Sequence, residues 1–240
     1  MNLAFKIQDG LISLVYPRRC PICDNPVKPF GALICDGCIT NVKLVGETTC
    51  YKCGKPLEDD AQEYCEDCLK HVHLYKHGMS VFEYKSISDS IYRYKYKGRR
   101  EYAAWYGEYM TKALSAKLSA IKADALIPVP IHRSKMRARG YNQATLIAKE
   151  LSKQTGIPVY DKLVTRVKKT TPLKDLTPEE RNNILRGAFK LTTNDVKLES
   201  IVIIDDIYTT GSTIDAVALP FLRAGIKNIY FATLAIGRGV

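Results

Sequence analysis

Two adjacent carboxylates, Asp205 and Asp206, directly follow a run of four β-branched aliphatic residues at 201–204. A hydroxyl- and glycine-rich loop comes next, and a helix is expected to begin shortly before Ile214. A strand, a loop and a helix N-terminus in this order favour a phosphate, because free backbone N–H groups and the positive helix end face it. The carboxylates suit hydroxyl groups about one sugar away from that phosphate. The segment therefore predicts a sugar-phosphate site.

Residues 201–213 resemble the 5-phosphoribosyl 1-pyrophosphate (PRPP) motif of type I phosphoribosyltransferases: four apolar residues, two acids, two further residues and Thr-Thr-Gly-x-Thr. A Walker-type loop is excluded, because no Gly-x-x-x-x-Gly-Lys-Ser/Thr occurs. The alternative, an ordinary buried strand before a capped helix, would not need two carboxylates at its tip. The resemblance implies that PRPP binds here with Mg²⁺. Its predicted contacts are Asp205, Asp206, Tyr208, Thr209, Thr210, Gly211, Ser212 and Thr213.

A second segment, 127–143, passes from a predicted strand into a basic loop. Four basic residues and no acid lie between Arg133 and Arg139, which suits a leaving pyrophosphate, although a solvated basic turn is the alternative. Phosphoribosyl transfer has an oxocarbenium-like transition state, and Mg²⁺ and nearby cations stabilise the leaving charge. Asp205 and Asp206 are the predicted catalytic pair. The residues assigned to the pyrophosphate side are His132, Arg133, Lys135 and Arg139. A purely structural role for His132 fits equally well.

All eight cysteines lie between Cys20 and Cys68, in four Cys-x-x-Cys pairs that start fifteen residues apart. Two pairs supply the four thiolates of a structural zinc site, so the set predicts two zinc ions. Disulfides would need an oxidising compartment, and an iron–sulfur cluster suits so regular a set less well. Pairing of consecutive knuckles is favoured over interleaving, because each half repeats the other. The predicted ligands are Cys20, Cys23, Cys35, Cys38, Cys50, Cys53, Cys65 and Cys68.

The cysteine distribution predicts two domains, a double zinc ribbon with a short N-terminal helix over 1–72 and a second domain over 78–240. His71, His73 and His77 are interpreted as part of a polar linker, because the cysteines already fill two metal sites. In the second domain, strands are predicted over 81–84, 125–131, 159–164, 188–191, 201–205 and 229–236, and helices over 87–97, 101–121, 144–155 and 212–224. This alternation predicts an α/β fold with a parallel sheet covered on both faces. Ligands then bind at the carboxyl ends of the strands.

Further motifs resemble the signature of ComF-type proteins: Lys-Tyr-Lys-Gly at 95–98, Pro-Val-Pro-x-His at 128–132 and Arg-Gly-Tyr-Asn-Gln at 139–143, beside the paired ribbons. The resemblance covers residues 20–236 and implies a type I phosphoribosyltransferase fold, a parallel sheet flanked by helices, preceded by a small Cys-rich double zinc ribbon domain. The family is associated with natural transformation, so PRPP, single-stranded DNA and a competence helicase are the implied partners. The chain departs from the family at 170–174, where members often carry Gln, so no base contact is assigned to that loop.

The chain has 36 Lys and Arg residues and 25 Asp and Glu residues, which gives a net charge of +11. This charge agrees with a polyanionic partner, although a basic surface also occurs without one. Residues 92–100 interleave tyrosines with cations, which is typical either of single-stranded nucleic-acid binding or of an amphipathic helix. No apolar run approaches the roughly 20 residues that span a bilayer, and 1–17 lacks a signal-peptide core. A cytoplasmic protein without membrane insertion is expected.

Three functions remain open on these grounds. The first is a PRPP-binding phosphoribosyltransferase, a glycosyltransferase that transfers a pentosyl group, acting in natural transformation. The second is a non-catalytic single-stranded DNA-binding accessory protein with a regulatory PRPP site. The third, a nucleobase-salvage phosphoribosyltransferase, is weaker because salvage does not need zinc ribbons.

Overall fold

The computed structural model describes residues 17–168, 187–193 and 195–237. The short helix expected at the N-terminus and the 170–174 loop lie outside these residues. In the cysteine-rich part, helix α1 (Asp36–Ile39) and helix α2 (Glu66–Lys70) each begin directly after a cysteine, Cys35 and Cys65 respectively. The second knuckle of each ribbon therefore opens a short helix.

The remaining elements alternate as the sequence predicts. They are strand β1 (His77–Glu83), helix α3 (Tyr84–Tyr96), helix α4 (Tyr102–Ala120), strand β2 (Ala125–Pro128), helix α5 (Arg133–Arg139), helix α6 (Gln143–Thr155), strand β3 (Val164–Arg166), strand β4 (Phe189–Leu191), strand β5 (Ser200–Tyr208), helix α7 (Ser212–Arg223) and strand β6 (Asn228–Ile236). Strands β1, β6, β5 and β2 form a four-stranded sheet in that order. All of its pairings are parallel, and β3 pairs with β4 in a separate antiparallel ribbon. The predicted fold class, a parallel sheet flanked by helices and preceded by a Cys-rich module, is confirmed.

Strand β5 is longer than predicted. It continues through both aspartates, because Asp205 pairs with Thr233 and Tyr208 with Ile236 on strand β6. Its other neighbour, β2, ends where Pro128 pairs with Ile204. The acid pair therefore lies at the carboxyl edge of the sheet, beside the end of a neighbouring strand. This is the edge at which parallel sheets bind ligands.

Three local predictions were wrong. The strand expected over 159–164 instead spans Val164–Arg166 and pairs with strand β4 in an antiparallel ribbon. Residues 133–139 form helix α5 rather than a loop, because the His132 side chain accepts a hydrogen bond from the Ser134 N–H and Gly140 ends the helix at a φ of 76°. Strand β1 begins at His77, earlier than expected. Gly78 within it is required by packing, since a Cβ there would lie 2.0 Å from the ring of Phe231 on strand β6.

The two cysteine clusters pack into different hydrophobic cores. Alternate residues of β5 point to opposite faces of the sheet, so Val202 and Ile203 belong to separate cores. Cys20 lies in the core that contains Val202 and the aromatic residues of α4, whereas Cys50 lies in the core that contains Ile203 and helix α7. Each ribbon is thus continuous with one face of the α/β domain. Among the described helices, none is both long and apolar enough to cross a lipid bilayer.

Candidate functional site

A cleft of about 150 Å³ opens at the carboxyl edge of the sheet. Strand β5 contributes Asp205 and Asp206 to its wall, and the first turn of α7 contributes Thr213. The opposite wall begins after β2 and is fixed by Asn142, whose side-chain amide donates to the Val129 carbonyl at 3.0 Å while its oxygen caps helix α6. The other lining residues are Lys95, Tyr96, Val129, Pro130, Ile131, Lys135, Arg139, Gln143, Ala144 and Arg166.

An ion pair crosses the cleft between Lys95 of helix α3 and the second aspartate. The Lys95 Nζ lies 2.8 Å from Oδ1 of Asp206, and the two side chains are only 19% and 13% exposed. Burial opposes the charged amine, but the negative charge of Asp206 outweighs it and raises the pKa of Lys95. The sequence placed Lys95 in a segment typical either of nucleic-acid binding or of an amphipathic helix, whereas the structure places its amine on the acid pair.

Asp205 has a strongly raised pKa. Burial and the neighbouring charge of Asp206 raise its pKa to about 7, against the opposing charge of Lys95. Its Oδ1 accepts a hydrogen bond from the Asp206 N–H at 2.8 Å, which fixes the carboxyl group at the end of β5. A carboxyl group with this pKa changes its charge near neutrality, so the pair carries one or two negative charges according to pH.

Three further cations face the acids. Lys135 and Arg139 come from helix α5, and Arg166 comes from strand β3. Burial lowers the pKa of Lys135, and the positive charges of Arg166 and Arg139 lower it further; burial also lowers the pKa of Arg166. Cations that repel one another in a partly desolvated cleft favour an anionic ligand. Sequence reasoning missed Arg166, because a three-residue strand with one arginine has no distinctive pattern.

The remaining predicted pyrophosphate contacts lie elsewhere on helix α5. The His132 imidazole is engaged as the cap of that helix, with Nδ1 also 2.9 Å from the Ser134 hydroxyl. Arg133 is exposed in the first turn. The structure therefore brings Lys135 and Arg139, but not the side chains of His132 and Arg133, to the cleft wall.

The loop after β5 has the form that an anion site needs. Gly211 adopts a left-handed φ of 77° and stands at the N-cap position of helix α7, directly before Ser212. The Thr210 and Ser212 hydroxyls are 3.1 Å apart at the start of this helix. Tyr208, a predicted ligand contact, turns inward instead: its hydroxyl lies 2.7 Å from that of Tyr75, and its ring stacks on Phe231. Its side chain therefore belongs to the core and not to the cleft.

The basic 92–100 segment is largely committed to internal contacts. Arg93 donates to the Pro21 and Ile22 carbonyls at 3.0 and 2.7 Å. Arg99 pairs with Asp24 at 2.8 Å, and Arg100 donates to the Gly140 carbonyl at 3.2 Å. Arg93 thus docks the first cysteine knuckle onto helix α3, while Arg99 and Arg100 dock that knuckle and the end of helix α5 onto the connection between α3 and α4.

The eight cysteines form two clusters. Cys20, Cys23, Cys35 and Cys38 make one, and Cys50, Cys53, Cys65 and Cys68 make the other. Within each cluster the sulfur atoms lie within 4.8 Å of one another, which fits the tetrahedral thiolate set that zinc takes at about 2.3 Å. All eight cysteines are free thiols. The favoured pairing of consecutive knuckles is therefore the one that the structure forms.

Known proteins match this arrangement along most of the chain. The double zinc ribbon domain family matches residues 11–69. Competence protein F of Haemophilus influenzae is 29% identical over 227 residues, 90% of this chain and 96% of that protein. Competence protein ComFC of Bacillus subtilis is 25% identical over 203 residues, 80% of this chain and 79% of that protein. The chain is a homologue of the ComF competence proteins.

Another relative of this ComF homologue is named for DNA utilization. DNA utilization protein YhgH of Escherichia coli K12 is 28% identical over 220 residues, 90% of this chain and 96% of that protein. Among solved structures, a purine phosphoribosyltransferase from Pyrococcus horikoshii Ot3 superposes with a TM-score of 0.35 and 22% identity, over 55% of this chain and 73% of that one. That superposition is too loose to support any conclusion about the site.

Proposed function

We propose that this ComF homologue binds PRPP with Mg²⁺ in the cleft and acts in natural transformation, on single-stranded DNA in the cytoplasm. The observation that carries the proposal is the acid pair at the carboxyl edge of β5, which faces a group of cations across a small cleft. Acids alone would suit a metal, and cations alone would suit any anion. A ligand with both hydroxyl groups and phosphates satisfies the two sets together. The names of the relatives support the role in competence.

Each group has a distinct part in this proposal. Backbone N–H groups of residues 209–213 bind the 5′-phosphate at the start of α7. Asp205 and Asp206 accept hydrogen bonds from the ribose hydroxyls, and Lys135, Arg139 and Arg166 neutralise the pyrophosphate. Lys95 exchanges its contact with Asp206 for the incoming ligand. Mg²⁺ supplies further neutralisation of the leaving charge when bound. Together, the acids and cations position the ribose C1 between the acceptor substrate and the leaving pyrophosphate.

The experiment that tests the proposal is calorimetric titration of the protein with PRPP, with and without Mg²⁺. A pyrophosphate-release assay with single-stranded DNA and with free bases follows. Binding with release supports a transferase and identifies the acceptor class. Binding without release supports a regulatory PRPP site. No heat of binding in either condition would show that the cleft serves another ligand.

The charge state of Asp205 should make PRPP binding depend on pH. Because the pKa of Asp205 is raised to about 7, its carboxyl group is protonated below neutral pH. It must lose this proton before it can accept hydrogen bonds from the ribose hydroxyls as a carboxylate. Affinity should therefore rise by roughly tenfold between pH 6 and pH 8. Titrations at both pH values, repeated on Asp205→Asn, separate this effect from ionisation of the ligand phosphates. The asparagine variant should have a clearly shallower slope. Equal slopes in the two proteins would exclude Asp205 as the titrating group.

The same pKa gives an independent check on folding. A carboxyl group whose pKa is higher in the folded than in the unfolded state lowers the free energy of unfolding as pH rises from about 4 to about 7. Asp205→Asn removes this cost, so its thermal midpoint at pH 8 should be at least as high as that of the wild type. A large decrease would mean that the aspartate stabilises the fold.

Exposed aromatic rings beside the cleft support the DNA part of the proposal. Tyr92 and Tyr96 are 53% and 64% exposed, with ring centroids 5.1 Å apart. The Arg139 guanidinium lies 5.3 Å from the Tyr96 ring centroid, and both residues also line the cleft. Exposed rings next to cations are what single-stranded nucleic acid uses for base stacking and phosphate pairing. The surface favoured here is therefore Tyr92, Tyr96 and Arg139, rather than the cations that are paired within the protein, Arg93, Lys95, Arg99 and Arg100.

Replacing both Tyr92 and Tyr96 by alanine should weaken binding of a single-stranded oligonucleotide by at least about tenfold, since each lost stack costs about 1–3 kcal/mol. Arg139→Gln should reduce the slope of log affinity against log salt by about 0.7. Fluorescence anisotropy at several salt concentrations measures both quantities. Tyr160→Ala, which removes another exposed ring, is the matched control. If all variants bind like the wild type, the DNA surface lies elsewhere.

A further inference from the structure

The linker between the second cysteine cluster and strand β1 packs directly against helix α7. His73, interpreted from sequence as part of a polar linker, is a buried residue whose side chain is only 3% exposed. Its Nδ1 lies 2.8 Å from Oδ2 of Asp215, in the first turn of α7. The Leu74 N–H donates to the other carboxylate oxygen at 2.8 Å. The Asp215 carboxylate thus fastens the linker to the helix at two points.

The His73 ring also contacts the loop of residues 209–213, which is called the phosphate loop here because it is proposed to bind the 5′-phosphate. A Cβ on Gly211 would lie 2.8 Å from Cε1 of His73, so the ring fits against this position only because glycine is there. The Gly211 carbonyl accepts a hydrogen bond from the Asp215 N–H at 2.9 Å. His73 therefore touches both residues that close the first turn of α7. The imidazole thus packs directly against the backbone that is proposed to bind the anion.

Tyr75 extends the same contact to the strand before the loop. Its ring stacks under His73 with centroids 5.0 Å apart, and its hydroxyl meets that of Tyr208 at the end of β5. The loop is consequently held by the linker on both sides, at Tyr208 and at Gly211.

The linker is in turn built onto the second cysteine cluster. Tyr75 shares a core with Cys50, Cys53 and Cys65, and the Lys52 ammonium lies 5.4 Å from its ring centroid. The Gly78 N–H at the start of β1 donates to the Lys52 carbonyl at 2.9 Å. An unbroken set of contacts therefore joins the metal-binding knuckle to the phosphate loop.

We propose that His73 is a positioning residue, through which the second cysteine cluster holds the phosphate loop in its anion-binding conformation. Among the described residues, its buried Nε2 has no hydrogen-bond partner. An unsatisfied buried nitrogen costs free energy, which a residue kept only for packing would avoid. The advantage is preorganisation, because backbone donors fixed before binding need no ordering when the phosphate arrives. The proposal rests on the proposed function only in identifying that phosphate with the 5′-phosphate of PRPP.

The test compares His73→Phe, which keeps an aromatic ring but loses the bond to Asp215, with the wild type. Hydrogen exchange of the 209–215 amides should be at least about tenfold faster in the variant, and PRPP affinity at least about tenfold weaker. Zinc content should stay at two equivalents. Asp215→Asn keeps an acceptor for the Leu74 N–H and turns an amide donor toward Nδ1 of His73, which can accept it, so this variant should stay close to the wild type. Asp215→Ala should instead behave like His73→Phe. His71→Phe, in the same linker, is the matched control.

The exchange measurement needs no ligand, so it separates this inference from the proposed function. If the wild type does not bind PRPP but His73→Phe still loosens the loop, the positioning role stands and the PRPP assignment fails. If the wild type binds PRPP and His73→Phe matches it in both exchange and affinity, the positioning role is wrong. A loosened loop in His71→Phe of the same size would also overturn it, because the effect would then belong to the whole linker.

Discussion

Replacing Asp205 and Asp206 together by alanine should weaken PRPP binding by at least about tenfold. Each carboxylate is expected to accept charge-assisted hydrogen bonds from ribose hydroxyls, and such bonds contribute about 1.5–3 kcal/mol each. The loss also leaves the Lys95 ammonium, now paired with Asp206 at 2.8 Å, without its partner in the cleft. That unpaired cation would attract phosphate nonspecifically, so the measured loss is a lower bound on what the acids contribute. Calorimetric titration with PRPP and Mg²⁺ measures it.

Two controls make this result interpretable. Ribose 5-phosphate carries the hydroxyl groups and the 5′-phosphate without the pyrophosphate, so its binding should also fall in the double variant. Inorganic pyrophosphate should bind at least as well as before, because the cations of the opposite wall are intact and Lys95 has lost its partner. The fold should persist, since removing two neighbouring carboxylates, one with a raised pKa, relieves repulsion. A double variant that binds PRPP like the wild type would exclude the phosphoribosyl assignment.

The acid pair could be predicted because its information is local. A run of β-branched residues fixes the strand, and the aspartates follow it within the same thirteen-residue motif. Helix starts and ends were likewise marked by short-range signals such as the glycine after Thr155. The cysteine clusters could be predicted for the same reason, since their spacing repeats along the chain and consecutive pairs come together.

The contacts that complete the cleft could not be predicted, because they depend on tertiary approach. Arg166 reaches the site from a short strand with no motif of its own. The interleaved tyrosines and cations of 92–100 left DNA binding and an amphipathic helix open, whereas in the structure Arg93 and Arg99 bind the first knuckle. A sequence shows that a residue is charged but not which distant group neutralises it. His73 was missed in the same way, since its partners Gly211 and Asp215 are remote in sequence.

Loss of the metal from the second cluster should destabilise the whole protein. The absence of cysteines after Cys68 would instead suggest a separate zinc domain that unfolds by itself. Cys50 and Cys53 are fully buried, and they share a core with Ile203 and Phe231 of the central strands. A separable zinc module would unfold alone. A knuckle embedded in the sheet's own core should instead take the α/β domain with it, because structural zinc binding supplies folding free energy directly.

Cys53→Ser should therefore leave about one zinc equivalent and lower the thermal midpoint by roughly 10 °C or more, since even 3–5 kcal/mol has this effect in a chain of 240 residues. Cys23→Ser is the matched variant in the first cluster, where the side chain is exposed, and its midpoint should fall less. Zinc analysis by mass spectrometry and calorimetric melting measure both. Near-ultraviolet circular dichroism, which reports the tyrosines of the α/β cores, should change most in Cys53→Ser. Equal losses in the two variants would mean that the two clusters support their respective cores to the same extent. A Cys53→Ser protein with a native aromatic spectrum and an unchanged midpoint would show that the second cluster is dispensable to the core that it lines.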